Sequence, residues 1–407
     1  MGKPKSSLLT IFITVFIDML GVGIIIPVIP VLFFEANSSF FGPEVSQAQR
    51  SILYGYLIAA YPIMQFFGAP LLGSLSDRYG RKPMLLISLV GTMIGYLLFA
   101  VAIKEQLLWL LFASRMLPGF TGGNIAIILS SIADVSDAKT KTKNFGLVGM
   151  AFGLGFILGP TLGGILADNK VISWFSAETP FWFTAMITLI NIALVQWRFA
   201  ETLDEPRVDK YSFFKGFQNI AVSFRSVNLR GIFAVVLLMS LGFSFFTQFY
   251  SVLLIQNFGF TESTIGLLFG WIGIWLALTQ GLIVRQLSNY FTPNSILRIT
   301  ILTLSIGVAL ILLPSEAWWF YVIAPIIAIS QGLTSPNTTS VISEQARPDQ
   351  QGEILGINQS MQSVGQAIPP IIAGYLTTLN NQFPIIAAAS FIFIAWLLYM
   401  WLFGRKR

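Results

Sequence analysis

Residues 84–103 read MLLISLVGTMIGYLLFAVAI, twenty consecutive positions without a charged side chain. A helix of this length rises 1.5 Å per residue and therefore crosses the roughly 30 Å hydrocarbon core of a bilayer. Its apolar residues do not alternate with polar ones, which argues against the strands of a membrane barrel. Residues 383–403 have the same character. Both segments predict membrane-spanning α-helices.

The composition of the whole chain agrees with this interpretation. Of its 407 residues 55% are hydrophobic and 10% are charged, whereas soluble domains have about 25% charged residues. The chain contains no cysteine and no histidine, which excludes disulfides and metal sites built on those ligands. Histidine is the usual proton carrier near neutral pH. If the protein moves protons, a carboxylate must therefore carry them.

Twelve such segments follow one another along the chain. Placing the N-terminus in the cytoplasm puts twenty Lys and Arg residues on the inner side and three on the outer side, as the positive-inside rule requires. We therefore expect an all-α membrane protein with twelve transmembrane helices in two six-helix bundles and with both termini cytoplasmic. The expected spans are residues 8–34, 51–75, 84–103, 107–132, 145–167, 180–199, 231–256, 263–287, 296–313, 317–343, 354–379 and 383–403.

The two halves of the chain repeat each other. At an offset of 210 residues, Pro160 corresponds to Pro370 and Gly164 to Gly374 without a gap. Duplicated six-span halves are typical of transporters in which two bundles rock about a central site. The expected domains are an N-terminal bundle, residues 1–200, and a C-terminal bundle, residues 230–407. Between them we expect a cytoplasmic linker, residues 201–229. Its apolar residues recur at helical spacing, which predicts a short amphipathic helix; the alternative is a disordered charged linker.

Two charged residues lie deep within the expected spans. Asp18 falls near the middle of the first span and Arg115 lies within the fourth. A charge in the hydrocarbon costs at least about 2.5 kcal/mol on insertion scales, so each one needs a reason. The functional interpretation is a proton or substrate site at Asp18, with Arg115 pairing with it or tuning its proton affinity. The alternative is a structural pair that ties helices together.

Uncharged polar residues within the spans suggest a substrate pocket. Span eleven carries Asn358, Gln362 and Gln366 on one helix face, which should point away from lipid. With aromatic neighbours such as Tyr250, Trp271 and Trp275, amides could line an amphipathic pocket, although ordinary hydrogen bonding between helices explains any single amide equally well. The candidate pocket residues are Tyr61, Gln65, Asn124, Gln248, Gln331, Asn337, Asn358 and Gln362.

Two further motifs suggest moving parts. The loop after span two contains acidic as well as basic residues, which indicates a charge cluster that forms in one state and breaks in another, unless its basic residues are topology signals only. Span five carries small residues every three or four positions around a proline, which suits a bendable close contact or a static one. The loop candidates are Gly73, Asp77, Arg78, Gly80 and Arg81, with Asp134 at the end of span four. The span-five candidates are Gly155, Gly159, Pro160, Gly163 and Gly164.

These motifs together resemble those of the major facilitator superfamily. The loop at residues 73–82 resembles its signature loop, residues 115–119 its span-four motif, and residues 155–164 the span-five motif of its antiporters. Residues 18–30 resemble the first span of the drug:proton antiporter branch, especially the tetracycline efflux proteins. One departure is that residues 298–313 hold no acidic residue, whereas tetracycline exporters carry one in this span.

The resemblance implies proton-coupled efflux of small amphipathic compounds across the bacterial inner membrane. It links Arg115 to proton coupling, and Asp77 to gating together with Arg81 and Asp134. The expected partners are substrate, protons and lipid, with no nucleic acid, no metal and no cofactor beyond the proton gradient, and we expect a monomer. The alternatives are an exporter of a specific metabolite or siderophore, an uptake permease, and a receptor without transport. A membrane enzyme is disfavoured because no nucleophile, base or metal constellation is visible.

Overall fold

A computed structural model describes residues 6–35, 40–42, 44–122, 124–135, 141–203, 230–344 and 351–403. All regular secondary structure in these residues is helical. The α-helices are α1 Ser6–Phe34, α2 Gln47–Tyr79, α3 Arg81–Lys104, α4 Leu108–Thr121, α5 Asn124–Val135, α6 Lys141–Ala167, α7 Thr179–Arg198, α8 Arg230–Phe258, α9 Glu262–Leu278, α10 Val284–Leu287, α11 Pro293–Leu310, α12 Trp319–Glu344, α13 Gln351–Leu379 and α14 Phe383–Phe403.

Nine helical stretches among the described residues are long and apolar enough to cross a membrane. They correspond to nine of the twelve expected spans. The fourth, tenth and eleventh expected spans are also helical, but the fourth is broken into two short helices and the other two carry polar residues such as Asn337 and Asn358. The helical architecture is thus confirmed, and the number of twelve crossings stays a prediction.

Local chemistry explains where several helices begin. Ser46 caps α2 by accepting a hydrogen bond from the backbone N–H of Gln49, whose side chain accepts one from the Ser46 N–H in return. Thr292 caps α11 in a similar way, and Pro293 occupies the first turn, where its missing N–H is not needed. These caps satisfy N–H groups that a helix end would otherwise leave unpaired.

Two of the expected continuous spans are interrupted. Span four divides into α4 and α5. The carbonyls of Thr121, the last residue of α4, and of Gly122, which follows it, accept side-chain hydrogen bonds from Ser88 of α3 and Gln65 of α2. Span eight contains a π-helical turn, Thr279–Ile283, between α9 and α10. Such turns insert one extra residue and frequently mark functional sites. Both breaks fall at short polar stretches that contain glycine, residues 121–124 and 279–281, within otherwise apolar sequence.

The first half of the chain (residues 6–203) and the second half (residues 230–403) meet along two helix pairs. The helix α2 packs against α13, and α6 packs against α9. Polar contacts join the halves near the start of α2 and the end of α6: the Tyr54 hydroxyl donates to the Gln248 carbonyl at 2.7 Å, and the Ser263 hydroxyl donates to Asp168 at 2.6 Å. Both contacts lie at the end of the molecule where α1 terminates, which we call the closed end.

Apolar packing reinforces contact at the closed end. Phe33 and Phe34 of α1 pack against Tyr54 of α2, and Tyr54 packs edge-on against Phe249 of α8 at a centroid distance of 5.2 Å. The larger hydrophobic core includes these residues and therefore runs through both halves. A smaller core, around Ile11, belongs to the first half alone. The expected amphipathic helix of the linker falls within residues 204–229, outside the described residues.

Candidate functional site

A small cavity opens inside the first half, among α1, α2, α3 and α4. It contains both of the deep charges that the sequence predicts. Its polar lining residues are Asp18, Tyr61, Thr92, Tyr96, Ser114 and Arg115. The structure therefore brings Asp18 and Arg115, far apart in sequence, to one place.

Asp18 lies at the middle of α1 and hydrogen-bonds the side chain of Asn124. Asn124 is the first residue of α5, so the interruption of span four brings this amide to the carboxylate. Asn124 is itself buried, with 2% of its surface exposed. The sequence predicts Asn124 as a substrate contact, whereas the structure places it as the partner of Asp18.

Arg115 does not form an ion pair with Asp18. Among the described residues, no oxygen of Asp18 lies within 4.0 Å of the guanidinium, and the buried Arg115 Nε has no hydrogen-bond partner. The guanidinium carbon instead lies 4.8 Å from the centroid of the Tyr61 ring. A desolvated contact between a cation and an aromatic ring is worth about 2 kcal/mol. Of the two roles expected for Arg115, direct pairing with Asp18 is therefore not seen, and the guanidinium lies over an aromatic ring instead.

Tyr61 is fixed in place by the helix that carries Arg115. Gly119 of α4 approaches the backbone of Tyr61 so closely that a Cβ at position 119 would stand 2.5 Å from the Tyr61 carbonyl oxygen. The Gln65 amide nitrogen lies 3.4 Å from the Tyr61 hydroxyl and 3.3 Å from the Gly122 carbonyl. Tyr61 and Gln65, expected as substrate contacts, thus belong to the surroundings of Asp18 and Arg115.

Among the described residues of the second half, several side-chain polar atoms are buried without a hydrogen-bond partner, and three of them lie on different helices. Trp275 Nε1, Gln331 Oε1 and Asn358 Oδ1 belong to three different helices, α9, α12 and α13. Leaving such a group unsatisfied costs about 1–3 kcal/mol, so a ligand that reached these atoms would gain by supplying the missing hydrogen bonds. The sequence predicts Gln331 and Asn358 as substrate contacts, and their unpaired oxygens are compatible with that role.

Other predicted pocket residues have partners within the protein. The Asn337 amide nitrogen donates to the Leu333 carbonyl of its own helix at 2.7 Å. The backbone carbonyl of Gln248 accepts the Tyr54 hydroxyl, and the side chains of Gln248 and Gln362 are partly buried. Tyr250 is 1% exposed among phenylalanine rings, so it is a core residue rather than a pocket residue.

The glycines of span five serve two interfaces. Gly155, Gly159 and Gly163 lie against the α1 backbone between Met19 and Ile24. Gly164, one position along, lies instead against the start of α9 in the other half, next to Glu262, and Pro160 contributes its carbonyl to the same interface. The helix α6 is therefore held between α1 and α9, with small residues on both faces.

A charge cluster forms at the end of the first half opposite the closed end. Arg81, which is 5% exposed, binds Asp77 at 2.6 Å and Asp134 at 3.0 Å, and it donates to the Ser76 hydroxyl at 2.7 Å. The structure thus brings together the acidic and basic residues predicted for the loop. Arg78 lies over the ring of its neighbour Tyr79. No atom approaches within 4 Å of the point where Gly73 would carry a Cβ.

Glu201 joins this cluster although its sequence position suggests only a linker. Its carboxylate accepts hydrogen bonds from the backbone N–H groups of Arg81 and Lys82 at 2.9 and 3.1 Å and so caps α3. Gly80 precedes this cap with φ +103°, a conformation that favours glycine. Partial burial alone would raise the pKa of Glu201, but four backbone N–H donors together lower it below its ordinary value.

Several site residues were missed at the level of sequence, among them Glu201 of the Arg81 cluster and Tyr96, Thr92 and Ser114 of the cavity. For Glu201, the signal is an acidic residue three positions after Arg198, which ends α7 on the side of the charged loop. For Tyr96, the signal is the spacing of Ser88, Thr92 and Tyr96, which places three hydroxyls on one face of α3. Neither pattern is decisive without knowledge of which helix lies opposite.

Known proteins resemble this chain over nearly its whole length. The family model described as Major Facilitator Superfamily matches residues 11–370 and 232–407. The tetracycline resistance protein, class C, of Escherichia coli is 29% identical over 401 residues, which are 96% of this chain and 96% of that protein. Multidrug resistance protein 1 of Bacillus subtilis (strain 168) is 28% identical over 386 residues, covering 94% of this chain and 92% of that protein.

Solved structures share the fold at lower sequence identity. The crystal structure of a human organic anion transporter superposes with a TM-score of 0.73 and 22% identity, covering 98% of this chain and all of that chain (100%). At this level of identity the likeness establishes the architecture alone.

Proposed function

Because this chain belongs to the Major Facilitator Superfamily, a family of transporters rather than enzymes, we propose that it exports amphipathic compounds in exchange for protons. The chain is similar to tetracycline efflux proteins, and a second relative is named for multidrug resistance. Those names support an amphipathic drug as substrate, and they support placement in the bacterial inner membrane.

The topology that we propose has twelve crossings, two six-helix bundles joined by residues 201–229, and both termini in the cytoplasm. The excess of basic residues on one side supports it. Exposed tryptophans near the ends of helices and in loops also support it, because indoles favour the two membrane interfaces. Trp109, Trp174 and Trp318 belong to the outer side of this topology, and Trp197 and Trp401 to the inner side.

In this topology the closed end faces outward. The contacts Tyr54–Gln248 and Ser263–Asp168 then seal the outer side, and the cluster around Arg81 lies on the cytoplasmic side. A transporter of this kind alternates between such a state and its opposite by rocking one bundle against the other. We propose that the cluster of Asp77, Arg81, Asp134 and Glu201 is rearranged during that motion.

The observation that carries the proposal is the cavity shared by Asp18 and Arg115. It holds a carboxylate within the membrane-spanning part, bonded to one amide and not to the nearby guanidinium. A carboxylate in such surroundings can take up and release a proton as its neighbours shift. We assign proton binding to Asp18 and control of its ionisation to Arg115.

For the substrate we propose contacts mainly from the second half. Trp275, Gln331 and Asn358 each carry a buried polar atom without a hydrogen-bond partner. The rings of Trp271 and Trp275 pack edge-on with 5.7 Å between their centroids and add aromatic surface. A compound with apolar surface and a few hydroxyl or amino groups fits such a lining.

The test uses purified protein in liposomes that contain a pH-sensitive dye. With a pH gradient imposed, addition of tetracycline or of a cationic dye such as ethidium should produce proton flux, and the compound should move against the proton flow. Transport that continues at the same rate after the gradient is collapsed would contradict proton coupling. Proton flow in the same direction as the compound would contradict export by antiport.

A second candidate is export of an anionic metabolite. It is favoured by Arg115, whose guanidinium makes no ion pair with any carboxylate among the described residues and could bind a substrate anion. Organic anions tested in the same liposomes separate the two candidates.

A further inference from the structure

The Arg115 guanidinium lies over the Tyr61 ring and makes no ion pair with Asp18, the proposed proton site. The ring centroid lies 4.8 Å from the guanidinium carbon, and Arg115 shares a cavity with Asp18. In an apolar interior, a guanidinium without a counter-ion is strongly disfavoured. The available counter-ion is Asp18, and the guanidinium nevertheless rests on a ring. The structure must therefore favour contact of the guanidinium with the Tyr61 ring over contact with Asp18.

The packing of Tyr61 shows what holds the ring there. Its backbone touches Gly119 on the helix that carries Arg115, one turn further along. Its hydroxyl is within 3.4 Å of the Gln65 amide, and Gln65 also reaches the Gly122 carbonyl where α4 ends. The Tyr61 backbone therefore packs directly on α4, and its hydroxyl is linked through Gln65 to Gly122, the residue that follows α4. These contacts fix the ring beside the helix that carries Arg115.

We propose that Tyr61 is a positioning residue that holds the Arg115 guanidinium out of ion-pair contact with Asp18 in the state with a closed outer side. The inference rests on the proposed proton coupling at Asp18. An arginine in contact with a carboxylate favours its ionised form. Holding the guanidinium on the ring therefore leaves Asp18 able to bind a proton in this state.

Few other titratable groups lie close enough to Asp18 to control its ionisation. The titratable side chains that line the cavity are Asp18 on α1, Tyr61 on α2, Tyr96 on α3 and Arg115 on α4, and Tyr54 of α2 interacts electrostatically with Arg115. The described parts of α5, α6 and α7 contribute no titratable group to it. The electrostatic surroundings of Asp18 therefore change chiefly through the position of Arg115.

The experiment measures the protonation of Asp18 directly, without a substrate. Infrared difference spectra of the full-length protein, recorded across a pH series, show the C=O stretch of a protonated carboxyl. The band that is missing in Asp18→Asn belongs to Asp18. In Tyr61→Leu, which removes the ring, we expect at least a tenfold fall in proton affinity, about one pH unit in the midpoint of this band. Tyr61→Phe keeps the ring and should keep the wild-type midpoint.

The variants distinguish the possible outcomes. An unchanged midpoint in Tyr61→Leu would overturn the positioning role, and an equal shift in Tyr61→Phe would assign the effect to the hydroxyl and overturn the role of the ring. If Tyr61→Leu fails to fold, Arg115→Lys removes the planar group that stacks on the ring and should shift the midpoint in the same direction. A wild-type protein without any titrating Asp18 band would overturn the proton coupling itself, and the inference with it.

Discussion

Gly266 of α9 lies directly against the backbone carbonyl of Pro160 in α6, on the other half of the molecule. A Cβ atom at position 266 would stand 2.5 Å from the Pro160 oxygen and 3.2 Å from the Gly164 Cα. Proline cannot donate a backbone hydrogen bond, and its ring bends the helix. A glycine on one helix thus fits against a bend in its neighbour.

The same contact recurs in the other pair of helices that joins the halves. Gly55 of α2 lies against the Pro370 carbonyl and the Gly374 Cα of α13. Pro160 and Pro370 correspond in the internal repeat, as do Gly164 and Gly374. The repeat therefore appears in the structure as two equivalent crossings at the closed end.

Enlarging Gly266 should loosen this end. In Gly266→Ala the methyl group meets backbone atoms that cannot turn aside, and overpacking of this kind costs about 1–3 kcal/mol. We expect the balance between the states with closed and open outer sides to shift about tenfold toward the open one. Distances between spin labels on the outer loops of the two halves measure the shift. In the control Gly153→Ala, nothing lies within 4 Å of the added methyl, and the same distribution as in the wild type is expected. Unchanged distances in Gly266→Ala would show that α6 and α9 can separate slightly to admit the methyl group without a cost in free energy.

Neutralising Asp18 should separate transport from the proton gradient. Asp18→Asn keeps the shape of the side chain but cannot take up a proton, so gradient-driven accumulation of substrate in liposomes should be lost while the protein remains folded. Glu105→Gln changes an exposed carboxylate at the end of α3 and serves as the control. Gradient-driven transport at the wild-type rate in Asp18→Asn would refute the assignment.

The cap formed by Glu201 should give the protein a specific response to acid. Because its pKa lies below the ordinary value of 4.5, the ionised cap contributes stability above that pH and loses it as the pH falls through the lowered pKa. Thermal unfolding of the detergent-solubilised protein should therefore show a loss on acidification below about pH 4.5 that is smaller in Glu201→Gln. At pH 7 this variant should be less stable than the wild type by about 1–2 kcal/mol, typical of a lost cap. Identical acid profiles would exclude the cap as their cause.

Removing an unpaired amide from the second half should weaken substrate binding without weakening the fold. Gln331 Oε1 has no partner to lose, so Gln331→Leu is expected to be neutral or stabilising. If substrate supplies the missing hydrogen bond, KM for the transported compound should rise about five- to tenfold, because one hydrogen bond is worth about 1 kcal/mol. Asn337→Leu, on the same helix, removes an amide that is bonded to the Leu333 carbonyl, and it should lower stability and leave KM unchanged. A rise in KM in Asn337→Leu but not in Gln331→Leu would instead assign the substrate contact to Asn337.

Much of the architecture follows from the sequence because a membrane imposes simple rules. The runs of about 20 apolar residues must form helices, since backbone groups find no other partners in lipid. The spacing of Pro160, Gly164, Pro370 and Gly374 likewise reveals the repeat before any coordinates. Asp18 and Arg115 are conspicuous for the same physical reason, because a charge in hydrocarbon is expensive and rare.

Only the tertiary structure determined what these residues contact. The sequence predicts that Arg115 pairs with Asp18 or tunes its proton affinity. In the structure the break after α4 brings Asn124 to the carboxylate, and the guanidinium lies over the Tyr61 ring. Glu201 similarly lies in a polar stretch and becomes part of the Arg81 cluster only because α7 ends beside the start of α3. Helix formation depends on neighbours a few residues away, which the sequence displays. Pairing of side chains depends on which helix faces lie opposite each other, and in this protein close glycine contacts and an interrupted span determine that.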